Sequence, residues 1–378
     1  MKFIHMADLH LGSPFAGLPP HEAAKRYSGQ FDVLDAALRA AVSSKARLVL
    51  ISGDVFDDTV VSRKTVSGFF DRLGSYPGIS FVISPGNHDY YTPEGYYSET
   101  DAKIPGNVFV FRTPELSRLE FPGLGADVYG FAFTSDSMFV APSLTPDTED
   151  GGRIKILCCH AALDDPSSPY CPVYSSALGF FDYAALGHIH ARGVSKLGKT
   201  TIAYPGCPEG RDFGECGKKG VLLVDTAGGE ISVSFIRMPG VTYRAEEFDL
   251  TGVLSRDALT SSLHDLISRL DDADKRASTA LRVTLTGVCD PSLDPDAQSL
   301  AFGLSDFFAA DPFLEIQIKD ETVPGYRAEE LEKDISLRGC YYRALRPELE
   351  SADPAVRLRA ARALRMGLNA IDGLPVMR

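Results

Sequence analysis

The feature that most restricts the fold of this chain is a set of five short apolar runs, each followed directly by a side chain that can bind a metal ion. These side chains are Asp8, Asp54, Asn87, His160 and His188. Short apolar runs separated by glycine, proline or polar breaks and by helical stretches are typical of α/β proteins. Because ligands bind outside the carboxyl ends of the strands in open α/β sheets, we expect the five side chains to converge on one place.

Two of these positions belong to pairs spaced two residues apart, Asp8 with His10 and His188 with His190. At a strand end, this spacing directs both side chains to the same side of the sheet, so each pair can serve one site. A mixture of carboxylate, amide and imidazole groups without cysteine suits a borderline-hard divalent ion better than a thiolate zinc site. We therefore expect a divalent metal centre, with Mn²⁺ as the leading candidate and iron, zinc or magnesium as alternatives.

The length and charge of the chain limit the classes of protein to which it can belong. At 378 residues it exceeds a typical single core, so two or three domains are expected. Its net charge of −13 argues against a protein that coats nucleic acid by itself, because Lys and Arg supply most of the non-specific affinity for phosphates. No apolar stretch reaches the roughly 20 residues of a spanning helix, and the amino terminus lacks a signal-peptide design. We predict a cytoplasmic protein with no membrane partner, and the irregular spacing of the seven cysteines predicts reduced thiols.

Breaks at Pro239-Gly240 and Pro324-Gly325 divide the chain into three predicted segments. Residues 1–240 hold the metal-ligand pattern. Residues 241–323 alternate strand and helix patterns, as in a small α+β domain, and residues 324–378 show only helical patterns.

Local patterns in the first and last segments make further predictions. Three runs over residues 200–204, 220–225 and 231–236 are close together with tight turns, which predicts a second, antiparallel sheet. In the last segment one helix is predicted over residues 328–345 and another over residues 354–371. The second of these has an apolar stripe formed by Val356, Ala360, Leu364, Leu368 and Ile371. The stripe is expected either to pack on its own domain or to anchor a partner protein.

The blocks DLH, GDVFD, GNHD and GHIH, together with His160, resemble in sequence and order the calcineurin-like metallophosphoesterase superfamily. Within it, FIHMADLHLGSPF, SPGNHDYY and AYPGCPEGRDFGECGKKG resemble the SbcD and YhaO branch of DNA repair exonuclease subunits. The resemblance covers most of residues 1–240. It implies a four-layer α/β sandwich of two sheets flanked by helices, followed by a small α+β capping domain and carboxyl-terminal helices.

The resemblance also implies two metal ions that share one carboxylate. One ion would be held by Asp8, His10, Asp54 and His190, and the other by Asp54, Asn87, His160 and His188. Two ions about 3.5–4 Å apart can clamp the attacking and leaving oxygens of a phosphoryl displacement, in which a metal-bound hydroxide attacks phosphorus. By the same resemblance, His88 would assist the leaving oxygen, and Asp57 matches the family position that orients this histidine.

Four further side chains are candidates for contact with the substrate. Tyr90 and Tyr91 follow the histidine loop and could stack on an unpaired base, although core packing or loop support explains them equally well. Arg192 and Arg211 could hold substrate phosphates, although surface arginines without such a role are common.

These features together predict a metal-dependent DNA exonuclease or endonuclease subunit that works with DNA and an SbcC-like or YhaN-like coiled-coil ATPase. Residues 327–378 are expected to dock that ATPase. One alternative is a small-molecule phosphodiesterase or phosphomonoesterase, which the acidic charge would tolerate. Another is a non-catalytic scaffold for the ATPase, which the loss of a ligand would favour, but no ligand is missing. The sequence leaves open whether the protein is a monomer or a homodimer.

Overall fold

The structure is a computed structural model that describes residues 1–15, 20–58, 61–98, 104–145, 152–228, 230–270, 273–290, 293, 295–325 and 328–373. It contains two compact units, Met1–Thr242 and Tyr243–Arg378. Among the described helices, none is both long and apolar enough to cross a bilayer. All seven cysteines are free thiols, as predicted. The predicted division into three segments stays a prediction.

The first unit contains two α-helices and fourteen strands within its described residues. The helices are α1 (Pro20–Ser43) and α2 (Arg63–Gly74). The strands are β1 (Lys2–Met6), β2 (Leu48–Ile51), β3 (Ser80–Ile83), β4 (Val108–Val110), β5 (Ser117–Phe121), β6 (Ala126–Gly130), β7 (Ile154–His160), β8 (Ala162–Leu163), β9 (Pro172–Val173), β10 (Tyr183–Gly187), β11 (Gly193–Leu197), β12 (Thr200–Tyr204), β13 (Gly220–Asp225) and β14 (Ser232–Arg237).

Twelve of these strands form two six-stranded sheets. The first sheet has the order β14-β13-β1-β2-β3-β4, and the second has the order β11-β12-β10-β7-β6-β5. At the centre of the first sheet, β1, β2 and β3 are parallel neighbours, and at the centre of the second, β7 and β10 are parallel neighbours. Five strands that precede predicted ligands therefore occupy the middle of the two sheets.

The alternation of side chains along β1 shows how the first sheet is covered on both faces. Phe3 packs in a core cluster with Ile156 and Tyr183 of the second sheet, and its ring meets that of Tyr183 edge-on at 5.2 Å. The next residue, Ile4, belongs to a separate cluster with Leu34 of α1. Because both faces are buried, these strands are continuous apolar runs rather than alternating ones. The predicted α/β architecture of sheets packed with helices is confirmed.

One prediction about the sheets was wrong, because the strands over residues 200–204 and 220–237 do not form a sheet together. Strand β12 lies parallel to β10 in the second sheet. Strands β13 and β14 join the first sheet instead, where β13 runs antiparallel to β1 with Phe3 opposite Val224. Pairing with β13 covers the edge of β1 that would otherwise leave its backbone groups unpaired. Local turn signals cannot report a pairing between residues more than 200 positions apart.

The second unit combines a small sheet with five α-helices in its described part. Its helices are α3 (Arg256–Ser268), α4 (Ala297–Phe307), α5 (Ala328–Lys333), α6 (Leu337–Leu349) and α7 (Pro354–Ile371), and its strands are β15 (Thr242–Asp249), β16 (Thr279–Thr286), β17 (Val288–Cys289), β18 (Glu315–Asp320) and β19 (Val323–Pro324). Strands β15, β16 and β18 form a three-stranded sheet. Ser255 and Asp296 cap the amino termini of α3 and α4 by accepting backbone N–H bonds, as expected for these residue types.

The helix predicted over residues 328–345 is divided into α5 and α6. Ser336 has extended backbone angles, and its hydroxyl accepts a hydrogen bond from the Arg338 N–H, which begins a new helix. The Asp334 carboxylate in turn accepts the N–H of Ser336 at 2.7 Å. Local side-chain hydrogen bonds of this kind compete with continuous helix, and they explain the break.

The apolar stripe of α7 is largely an internal contact. Ala360, Leu364 and Leu368 are buried, and the two leucines form a cluster with Leu331 of α5 and Tyr342 of α6. The prediction that this stripe anchors a partner is therefore wrong for the residues at the centre of the stripe. Their side chains already pack on neighbouring helices.

Candidate metal centre

The structure brings together the predicted ligands from both sheets at the carboxyl ends of their strands. Asp8 follows β1, Asp54 and Asn87 follow β2 and β3, and His160 ends β7. His188 directly follows β10, and its backbone N–H donates to the Asp8 carboxylate at 3.0 Å. The two sheets therefore contribute to one cluster, which is the convergence expected from the sequence.

The backbone around this cluster is left-handed at four of the proposed ligands. The φ angles are 54° at Asp8, 45° at His10, 50° at Asp54 and 103° at His188. Non-glycine residues avoid this region, and such strain concentrates at functional sites. The expected period-two strand geometry is therefore wrong for these pairs. They lie beyond the strands, in turns that direct their side chains to one place.

Two glycines allow the close approach of the strand ends. At Gly53, with φ of +86°, a Cβ atom would lie 2.5 Å from Nδ1 of His160. At Gly86, a Cβ atom would lie 2.2 Å from Oδ1 of Asp54. No side chain larger than hydrogen fits at either position, so glycine before Asp54 and before Asn87 is a packing requirement of the site.

Three imidazoles have one ring nitrogen close to an oxygen and the other directed into the cluster. Nδ1 of His160 donates to the Ser52 carbonyl at 3.0 Å. Nδ1 of His190 donates to Glu215 at 2.6 Å, and Nδ1 of His10 lies 3.0 Å from an Asp57 carboxylate oxygen. This arrangement leaves each Nε2 free to bind a metal, as is usual for ligating histidines.

The free ligand atoms lie within the distance that one cation can span. Nε2 of His10 is 3.2 Å from Nε2 of His190, and Nε2 of His160 is 3.0 Å from the Asn87 amide oxygen. Two nitrogen or oxygen atoms each bound at about 2.1 Å to one ion lie no more than about 4.2 Å apart. Both separations satisfy this limit, so the residues fit bound cations.

Asp54 lies between the two groups of histidines. Its Oδ2 is 3.8 Å from Nε2 of His10 and 3.4 Å from Nε2 of His160. Oδ2 of Asp8 is buried without a hydrogen-bond partner among the described residues, although buried carboxylate oxygens are normally satisfied. A central carboxylate beside an unpartnered one suits two cations better than a network of protein hydrogen bonds.

The protonation of these groups also suits metal binding. Burial and the neighbouring His160 lower the pKa of His188 to about 4, so that its imidazole is neutral near pH 7. Burial would raise the pKa of Asp54, but His160 and His10 outweigh it and hold that pKa below its ordinary value. Neutral imidazole and ionised carboxylate are the forms that ligate.

Asp89 organises the site and received no role in the sequence analysis. Its buried carboxylate accepts backbone N–H groups of Gly86 at 2.7 Å and of Val55 at 2.7 Å, and it also accepts the Tyr97 hydroxyl. These bonds join the loop after β2 to the loop after β3, which carry Asp54 and Asn87. The only signal in the sequence was its place at the end of GNHD.

Glu215 is a second organising residue that the sequence analysis missed. Besides His190, its carboxylate accepts the Arg211 guanidinium at 2.8 Å. Arg211 also donates to the Asp57 carboxylate at 2.8 Å. Arg211 therefore links the carboxylates behind two proposed ligands, and its predicted grip on substrate phosphates is replaced by this internal role. The acidic residue within GRDFGECGKKG was the available signal for Glu215.

His88 is exposed at the edge of the cluster, and its ring meets that of His10 at 5.0 Å. Its Nδ1 donates to the main-chain carbonyl of Asp57 at 2.8 Å, while the Asp57 carboxylate faces His10 and Arg211. Asp57 therefore contacts His88 through its backbone and not through its side chain. The Nε2 of His88 remains available on the open side of the site.

The remaining predicted substrate contacts differ in their surroundings. Tyr90 and Tyr91 are half-buried and pack against the core clusters, which favours the alternative of core packing. Arg192 is exposed, and its guanidinium lies 4.1 Å from the centre of the Phe235 ring.

Comparison with known proteins agrees with this geometry. The family model for calcineurin-like phosphoesterases matches residues 1–192, just over half of the chain. The metallophosphoesterase YhaO of Bacillus subtilis is 31% identical over 300 residues, which are 76% of this chain and 72% of that protein. The DNA double-strand break repair protein Mre11 of Methanopyrus kandleri is 24% identical over 63% of this chain and 57% of its own length, and the SbcD component of the SbcCD nuclease of B. subtilis is 24% identical over 61% and 67%. The chain belongs to the calcineurin-like metallophosphoesterase family.

Proposed function

We propose that the cluster holds two divalent cations and hydrolyses a phosphodiester. Asp8, His10, Asp54 and His190 hold one cation, and Asp54, Asn87, His160 and His188 hold the other, with Asp54 between them. The observation that carries this proposal is a set of three imidazoles whose Nδ1 atoms face oxygens. The Nε2 atoms of His10 and His160 lie beside Asp54, and that of His190 lies 3.2 Å from that of His10. Mn²⁺ is the proposed native ion, because the ligand set contains no thiolate.

The protein residues have distinct tasks in this reaction. When bound, two cations supply a nucleophile by lowering the pKa of water and neutralise charge on the phosphate oxygens. His88, as the imidazolium, donates its Nε2 proton to the leaving oxygen, while the Asp57 carbonyl holds its Nδ1–H. Asp89 and Glu215 keep the ligands in place.

We propose DNA as the substrate and repair or processing of DNA ends as the setting. The names of the Mre11 and SbcD relatives describe DNA repair and nuclease proteins. The name of YhaO gives the reaction class and no substrate. This difference keeps a smaller phosphodiester as the second candidate, which the acidic charge of the chain favours.

A nuclease assay distinguishes these substrates. The protein would be incubated with Mn²⁺ and single-stranded, double-stranded or hairpin DNA, beside bis-p-nitrophenyl phosphate. We expect cleavage of both the DNA and the dye ester, and EDTA should abolish both reactions. Cleavage of the dye alone would reject DNA as the substrate, and no cleavage of either would reject the proposed reaction.

We also propose that the carboxyl-terminal helices dock an SbcC-like coiled-coil ATPase. The buried stripe of α7 is already packed, but two apolar side chains at the start of α6 and just before it are exposed. Ile335, in the link between α5 and α6, is 96% exposed, and Leu337, the first residue of α6, is 67% exposed. The double variant Ile335→Ser, Leu337→Ser should lose co-purification with the ATPase, whereas Leu254→Ser, at another exposed leucine of the same unit, should retain it. Equal binding by both variants would reject this docking surface.

A further inference from the structure

A cavity of about 290 Å³ opens beside the proposed metal centre, on the side of His190. One wall is formed by residues that follow β10, His190 and Arg192. The cavity is also lined by the glycine-rich turn that contains Glu215, Lys218 and Lys219. The cavity therefore shares the proposed ligand His190 with the metal cluster.

Two positively charged side chains that line this cavity, Arg192 and Lys219, have no carboxylate partner among the described residues. The Arg192 guanidinium stacks over the Phe235 ring at 4.1 Å, which fixes its position while leaving its N–H groups unpaired with acid. Nζ of Lys219 donates to the His190 carbonyl at 2.9 Å, a neutral partner. Lys218 adds a third positive charge to the wall.

The single acid in the cavity wall is already neutralised. Glu215 accepts hydrogen bonds from the Arg211 guanidinium and from His190. Its charge is therefore directed at Arg211 and His190 and does not compensate Arg192 or Lys219. In a chain with a net charge of −13, these two positively charged side chains form a local site for an anion.

We propose that this cavity, defined by Arg192, Lys218 and Lys219, binds a second phosphate of the substrate, adjacent to the phosphodiester held at the metal centre. The inference rests on the proposed phosphodiesterase reaction and narrows its substrate to molecules with successive phosphates, as in a nucleic-acid strand. A fixed arginine and two lysines suit a phosphate group, since guanidinium and ammonium groups form charge-assisted hydrogen bonds with its oxygens.

The position of the cavity supports this assignment over an unrelated anion site. Lys219 is bonded to the backbone of His190, and His190 directs its Nε2 towards His10 in the cluster. His190 therefore belongs both to the cavity wall and to the proposed metal cluster. Gly217, with φ of +96° and open space around its Cα, leaves the turn free of a side chain at that rim.

The test compares matched esters that differ by one phosphate. The substrates are p-nitrophenyl thymidine 5′-phosphate with and without a 3′-phosphate, and p-nitrophenyl thymidine 3′-phosphate with and without a 5′-phosphate, so that both strand directions are covered. The wild-type protein with Mn²⁺ should favour the bisphosphate of at least one pair, mainly through a lower KM. In Arg192→Gln and Lys219→Met this preference should fall by about tenfold or more, as expected for loss of a charged hydrogen bond.

The control is Lys196→Gln, which removes a positive charge from the exposed strand β11 outside the cavity and should keep the preference. Binding of thymidine 3′,5′-bisphosphate to the metal-free proteins, measured by calorimetry, gives a readout independent of turnover and should weaken about tenfold in Arg192→Gln. Metal content should be unchanged in Arg192→Gln.

The outcomes separate this inference from the proposed reaction. If the wild-type protein hydrolyses neither ester of either pair, the phosphodiesterase proposal fails and the cavity assignment fails with it. If it hydrolyses the esters but Arg192→Gln and Lys219→Met lose activity equally on single and double phosphates, the reaction stands and the second-phosphate site is rejected.

Discussion

The two units of this protein bury different kinds of side chain. The first unit buries several ionisable groups together, including Asp8, His10, Asp54, Asp89 and His160. In the described part of the second unit, the buried polar side chains are two threonines, Thr279 and Thr322. The second unit is therefore stabilised by ordinary apolar packing, whereas the first accepts buried charge at its centre.

The backbone differs in the same way. Eight described non-glycine residues have a left-handed φ, and all of them lie in the first unit. Such residues cost about 1–3 kcal/mol each and persist only where surrounding structure fixes them. Four of the eight are proposed ligands. Half of the strained residues therefore lie at the proposed metal site, and no left-handed non-glycine residue occurs in the described part of the second unit.

The strongest test of this contrast is Asp54→Asn. We expect no measurable turnover and loss of both metal ions together, because one carboxylate is proposed to bridge them and an amide binds cations less well. Elemental analysis and the rate of dye-ester hydrolysis would measure both effects. His10→Gln serves as the comparison, since it should weaken one ion more than the other. Loss of the same single ion in both variants would contradict the bridging role.

The next largest effect is expected for His88→Ala. Turnover should fall by at least about 10²-fold, the usual cost of removing an acid–base group, while both metal ions remain. This result would separate the exposed histidine from the buried ligands around it. His88 lies close enough to His10 and Asp54 to complete a metal triad, so loss of an ion in this variant would instead identify it as a ligand.

Buried ionisable groups should also make the first unit sensitive to acid. His5 is fully buried between the Tyr183 and Ser52 hydroxyls, and burial lowers its pKa to about 3. The unfolded chain therefore binds a proton more readily than the folded chain between about pH 6.5 and pH 3. The stabilising contribution is complete above about pH 6.5 and is lost as the pH falls, by about 2 kcal/mol at pH 5.

Urea titrations of the wild-type protein and His5→Gln at pH 7.5 and pH 5 would measure this contribution. The variant should lose less free energy of unfolding over that range, whatever its absolute stability. Parallel pH dependence in the two proteins would show that His5 is not the responsible group.

The smallest effect is expected in the second unit, at the ion pair between Arg365 and Asp320. The two groups are 2.9 Å apart and partly exposed, so a double-mutant cycle with Arg365→Met and Asp320→Asn should give a coupling of about 1 kcal/mol or less. Turnover of the dye ester should be unchanged in Arg365→Met. A loss of turnover would contradict the assignment of catalysis to the first unit alone.

Much of the proposed site could be predicted from the sequence because its ligands are chemically distinctive and each follows an apolar run. Asp8, Asp54 and Asn87 follow the ends of neighbouring strands. The lengths of the apolar runs and the glycine breaks after two of them indicated these positions in the sequence. The α/β class followed from the same runs, since strands buried on both faces must be continuously apolar.

The sequence by itself determined the class of fold, the family and the residues available as ligands, because these depend on local composition and order. Tertiary structure decided which sheet β13 and β14 join. It also decided that the Arg211 guanidinium is hydrogen-bonded to Asp57 and Glu215, and that the apolar stripe of α7 is buried. Arg211 and Asp57 are 154 positions apart, and Phe3 pairs with Val224 across more than 200. Contacts of this range depend on how the packed elements approach one another, and no local pattern of residues records that approach.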